Sequence, residues 1–153
     1  MRLCVLDKKG FTLLELMTVV IILGVLAAVA VPNMDGWMAK RDLNSAARTL
    51  ASHFQLARLK AIDENQNVNI TFDPVNDNYV IVTAAGTTIV PQTVMPSGVG
   101  ITNPTGFTGD ATGFNNRGLA LNQGSVVLVS ANAPAIDNTR TIALSLGGSV
   151  QIQ

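Results

Sequence analysis

Residues 11–31 of this 153-residue chain form an apolar run of 21 residues whose only charged side chain is Glu15. As an α-helix the run is about 31 Å long at 1.5 Å per residue, which matches a hydrocarbon core of roughly 30 Å. A carboxylate at bilayer depth costs on the order of 2.5–3.5 kcal/mol by insertion scales, and a residue that bears this cost is a functional hypothesis whose partner must be named. Glu15 lies about one helical turn inside the run, which lowers the cost without removing it. The first ten residues hold Arg2, Lys8 and Lys9 against Asp7, a net +2. The rest of the chain holds 7 basic and 9 acidic side chains, a net −2. A basic flank before an apolar run predicts a cytoplasmic N-terminus.

Three readings compete for this segment. A secretory signal peptide would have a basic start, an apolar core and a small-residue site at Ala28-Val29-Ala30. The run is, however, longer than the usual apolar region of about 7–15 residues. A plain membrane anchor leaves Glu15 unexplained. The third reading rests on the stretch "KKGFTLLELMTVVIILGVLAAVAVP" at residues 8–32. It resembles the class III signal of type IV pilins and type II secretion pseudopilins. The resemblance implies cleavage by a prepilin peptidase after Gly10 and N-methylation of the new terminus, Phe11. It makes Glu15 the fifth mature residue and matches the family's late proline at Pro32. It also implies an assembly role for Glu15, whose carboxylate faces the α-amine of Phe11 on a neighbouring subunit. Stranding one member of such a buried pair costs roughly 3–5 kcal/mol.

Beyond the run, Pro32 removes a backbone donor and predicts a kink or break. Leu43, Ala47, Leu50, Phe54, Ala57 and Ala61 recur at three- and four-residue spacing, predicting an amphipathic helix to about Asp63. Strands are expected at 68–72, 79–83, 87–94 (interrupted at Pro91), 125–130, 139–146 and 149–153. Residues 96–116, rich in Gly, Pro, Thr and Asn, read as a long loop or irregular edge. The expected organisation is a removable leader at 1–10, a transmembrane and assembly helix at 11–34, an amphipathic helix at 35–64 and a β-rich domain at 65–153. The fold class is α+β, with the long helix packed on an antiparallel sheet as the pilin resemblance implies. The C-terminal half looks like the H-type minor pseudopilins and their FimT-like relatives. Phe114, Gly118 and the segments 126–129 and 142–145 fill their pattern, whereas the pattern's arginine is replaced at Gly147-Gly148-Ser149.

Little in the chain reads as catalysis. The one histidine, His53, stands alone on a helix, and no carboxylate pair or nucleophile–base set accompanies it. The Gly-rich stretches "GGSV" and "TGFTGDATG" lack the lysine of a phosphate loop. Cys4 is the one cysteine, so a chain cut after Gly10 has no disulfide and no thiolate metal site. No cofactor and no metal are expected. For DNA, residues 61–153 offer only Arg117 and Arg140 against Asp63, Glu64, Asp73, Asp77, Asp110 and Asp137. Two arginines support only weak, salt-sensitive binding, so DNA is not an expected partner. The expected partners are other pilin or pseudopilin subunits, the prepilin peptidase, the inner-membrane assembly platform and membrane lipid. The expected place is the inner membrane, single-pass, with the C-terminal domain periplasmic, and then the filament. The expected function is that of a minor structural subunit of a type II secretion pseudopilus or type IV pilus. The rival readings are a FimT-like DNA-uptake pilin and a soluble secreted protein.

Overall fold

The computed structural model describes residues 10–30 and 34–153. The chain divides into two compact units, Met1–Asp35 and Gly36–Gln153. In the first, helix α1 (Leu13–Ala30) rises about 27 Å over its 18 residues, less than the whole 11–31 run. Among the described residues, no helix is long and apolar enough to cross a membrane. Residues 1–9 of the expected leader at 1–10, and the kink expected at Pro32, lie outside the described residues.

Helix α2 (Met34–Asp63) provides one wall of the core. Its stripe of Leu43, Ala46, Ala47, Leu50, Phe54, Ala57 and Ala61 is buried, as the three- and four-residue spacing requires. The helix ends in a Schellman turn. Asn65 takes the left-handed conformation at φ 50°, and Gln66 N–H donates to the Ala61 carbonyl at 3.2 Å.

The strands divide between two antiparallel sheets rather than one. β1 (Val68–Asp73), β2 (Asn78–Thr83), β3 (Thr88–Val94) and β5 (Ala111–Phe114) form the first, in the order β3-β2-β1-β5. β4 (Val99–Thr105), β6 (Gly124–Ser130), β7 (Thr139–Leu144) and β8 (Val150–Ile152) form the second, in the order β4-β6-β7-β8. Their inward residues join the α2 stripe in one core, where Phe54 stacks on Phe72 and meets Phe114 edge-to-face, with ring centroids 6.1 and 6.3 Å apart.

Two expectations about the strands are refined. Of the two readings of 96–116, the irregular edge holds and the long loop does not, since the segment contains β4 and β5, each at the edge of its sheet. β4 lies at a sheet edge with a register shift between Thr102 and Thr105, which accommodates Pro104. In β5, a side chain at Gly113 would place its Cβ 2.1 Å from the Val68 carbonyl oxygen, so the tight pairing with β1 demands glycine. β3 continues through Pro91 as a strand, but its pairing with β2 is irregular there, shifting register between Ile81↔Val90 and Tyr79↔Thr93. It is an edge strand paired only to β2, the position where a proline with a bulge is tolerated.

Candidate functional site

The start of α1 is built by Thr12. Its hydroxyl accepts the Glu15 N–H at 3.2 Å and its carbonyl accepts the Leu16 N–H at 3.2 Å, which makes Thr12 the N-cap. The signal for this cap was in the sequence, since Thr12-x-x-Glu15 has capping-box spacing. Glu15 therefore stands in the first helical turn, where the helix dipole favours a negative charge by roughly 0.3–1 kcal/mol. Its side chain is exposed and forms no salt bridge among the described residues. Gly10 and Phe11 precede the helix and are exposed, Phe11 to 82%.

The rest of α1 is apolar on every side. Exposure of its described large apolar side chains runs from 47% at Val19 to 77% at Leu13, so none of these is covered among the described residues. A helix that is apolar all round is a buried helix.

The two cations singled out in the C-terminal half have different situations. Arg140 donates from Nε to Asn44 Oδ1 at 2.7 Å and from Nη1 to Asp137 Oδ1 at 2.5 Å. Lys40 pairs with the other Asp137 oxygen. Hydrogen bonds from Arg140 and then Lys40 pull the Asp137 carboxyl from its ordinary 3.8 to about 2. Arg140 thus holds the 3₁₀ turn Ala135–Asp137 to α2 and is largely shielded. Arg117 is exposed on a turn, where its backbone N–H donates to Asn115 Oδ1 at 2.9 Å. The neighbouring Gly118 lies against Ile62, whereas Arg140 meets α2 at Asn44. Those two helix positions are about 27 Å apart along the axis, so the arginines do not form one patch.

The glycine pattern of the C-terminal half has a physical cause. Gly118 and Gly148 take φ of 73° and 77°. A Cβ on Gly148 would lie 2.3 Å from the Gly118 carbonyl oxygen. Arg58 closes this corner by donating to the carbonyls of Gly148 at 3.1 Å and Gly147 at 3.4 Å. At the departure from the family pattern, Ser149 hydrogen-bonds Ser145 hydroxyl to hydroxyl at 2.9 Å. His53 Nδ1 lies in a 2.6 Å hydrogen bond with the Tyr79 hydroxyl. Burial lowers the His53 pKa and pushes Tyr79 up to about 12, so this is a neutral packing pair. Among the described residues, no group of three or more His, Cys, Asp or Glu is placed to hold a metal ion.

Comparison with known proteins places these features. The prokaryotic N-terminal methylation motif matches residues 6–31. The fimbrial protein EcpC of Eikenella corrodens is 33% identical over 123 residues, covering 74% of this chain and 73% of that protein. The type II secretion system core protein G of Pectobacterium carotovorum subsp. carotovorum is 41% identical over 59 residues, 39% of this chain and 38% of that one. The chain thus matches well under half the length of that relative. The solved minor pseudopilin EpsH from the type 2 secretion system of Vibrio cholerae shares the fold, with a TM-score of 0.60 at 13% identity over 73% of this chain and 96% of that one. The family model of the type II transport protein GspH matches residues 46–148, from the middle of α2 to the final hairpin, and the chain belongs to that family.

Proposed function

We propose that this chain is a minor pseudopilin, a non-catalytic structural subunit of a type II secretion pseudopilus or a related type IV pilus. The observation that carries the reading is α1, a helix apolar on its described faces, capped by Thr12 and with Glu15 in its first turn. A helix of that kind needs two successive covers, lipid before assembly and neighbouring helices after it. The run 11–31 anchors the precursor in the inner membrane, N-terminus inside and the Gly36–Gln153 unit in the periplasm. Prepilin peptidase cuts between Gly10 and Phe11, and Phe11 is methylated. The inner-membrane platform then draws the subunit into the filament, where Glu15 pairs with the α-amine of an adjacent subunit. Intact mass and N-terminal sequencing of membrane-extracted protein test the cleavage. A chain beginning at Phe11, one methyl group heavier than the bare peptide, is the expected result. A chain beginning at Val31 would instead establish an ordinary secretory signal and a soluble product.

A further inference from the structure

The geometry points to a lipid-contacting surface at the start of α2, formed by Trp37, Arg41 and the exposed turn at Ile136, that seats the globular unit on phospholipid headgroups. This rests on the membrane-anchored reading of residues 11–31.

Trp37 is the one tryptophan of the chain, and it is 61% exposed. An indole has an apolar body and one N–H donor, the combination enriched where bilayer meets water. Helical side chains lean toward the N-terminus of their helix. Arg41, one turn on, is thereby carried back over Trp37, with its guanidinium carbon 6.0 Å from the ring centroid. Arg41 has no carboxylate partner among the described residues. Its planar fork of donors fits a phosphate oxygen pair.

The 3₁₀ turn adds the second apolar element. Its approach to α2 is fixed on both sides of Ile136. Pro134 packs beside Gly36, where a Cβ would sit 3.6 Å from the proline ring. Asp137 is tied to Lys40 and Arg140. Between these anchors Ile136 is 98% exposed, an arrangement that holds an isoleucine in water with no cover among the described residues. Nearby Met38 is 52% exposed. Apolar groups beside an arginine are the chemistry of an interfacial contact rather than of a free surface.

Chain continuity selects lipid as the occupant. Trp37 follows Val31 by six residues, a tether of at most about 20 Å even when extended. A bilayer that holds 11–31 in its core therefore has Trp37 within reach of its headgroup layer. Asp35, two residues before Trp37, is exposed and offsets the charge of Arg41. Contact is accordingly expected with zwitterionic as well as anionic phospholipid.

The single tryptophan makes the test direct. The full chain is reconstituted at low density into vesicles of phosphatidylethanolamine and phosphatidylglycerol, with a nitroxide on the headgroup or at the acyl end. Alkaline carbonate extraction is run first. Loss of the protein from the vesicles would remove the anchored reading, and this inference with it. With the protein retained, the headgroup nitroxide should quench most Trp37 emission, the acyl-end nitroxide little, and aqueous iodide little. A second reporter, Trp37→Phe with Ile136→Trp, should show the same order. Quenching by iodide but not by the headgroup label overturns the contact. Shelter from both would assign the surface to a protein partner instead. Quenching at position 37 alone would mean that the tether places Trp37 there and that the turn takes no part, which also overturns the proposal.

Discussion

Glu15 meets two requirements at one residue. The N-cap geometry at Thr12 lets a helix begin there, and the first turn tolerates a carboxylate better than any later position. Its cost in lipid and its proposed use in assembly then separate experimentally. Glu15→Ala should insert and be cleaved as well as the parent, because an alanine removes the insertion cost. It should enter filaments poorly, because the amine of Phe11 on the neighbour loses its counter-charge. Membrane and sheared-filament fractions measured side by side give the answer, and equal incorporation would dismiss the pairing. Asp137 allows a pH experiment with a definite sign. Its folded pKa is depressed to about 2 from 3.8. Its contribution is therefore fully present above about pH 4 and is lost as pH falls toward 2. Asp137→Asn should lower the melting temperature at neutral pH, and the difference from the parent should shrink as the pH drops through that window.

Among the elements, what the sequence could reveal depended on how local the cause was. The α2 stripe repeats every three or four residues and was legible. The strands β1, β2, β6 and β7 alternate or run apolar and were legible too. β4 and β5 were not, because glycine and proline, which usually mark loops, here serve an edge position and a close backbone approach. The tie of Arg140 to Asn44 joins residues 96 positions apart, and no local pattern encodes it. The corner at Gly148 is similar, since the reason for glycine lies in the distant carbonyl of Gly118. A contrast of two glycines tests that reason. Gly86 has φ 87°, and a Cβ added there would meet nothing within 4 Å, so Gly86→Ala meets conformational strain alone, about 1–2 kcal/mol. Gly148→Ala adds the 2.3 Å clash with Gly118. Its urea midpoint should fall further than that of Gly86→Ala, and equal midpoints would show that the corner relaxes freely.

At the scale of the whole molecule, the distribution of charge bears on binding to polyanions. Five of the seven cations between residues 35 and 153 (Lys40, Arg41, Arg48, Arg58 and Lys60) lie on α2. Arg58, Lys60, Lys40 and Arg140 are engaged with carbonyls or carboxylates. From residue 61 onward the chain carries six acidic residues against Arg117 and Arg140. Duplex DNA should therefore bind weakly and only at low salt. A polarisation titration at about 150 mM salt, where screening acts over about 8 Å, checks this. Tight, saturable binding abolished by Arg117→Ala would make DNA uptake the leading function. The charge count that motivates this expectation is legible in the sequence, whereas the engagement of Arg140 is not.

The confinement of the described core residues to Gly36–Gln153 has a consequence for how such a chain evolves. The described core side chains all belong to Gly36–Gln153, so selection on that core acts within one unit. Substitutions on the apolar faces of α1 leave these core side chains in place. The domain in turn is free to change loops, edges and surface while the anchor stays constant. Grafting the domain onto a foreign anchor, or the anchor onto a foreign domain, should therefore yield folded hybrids. Lineages of such chains are expected to diversify by exchanging what the helix carries.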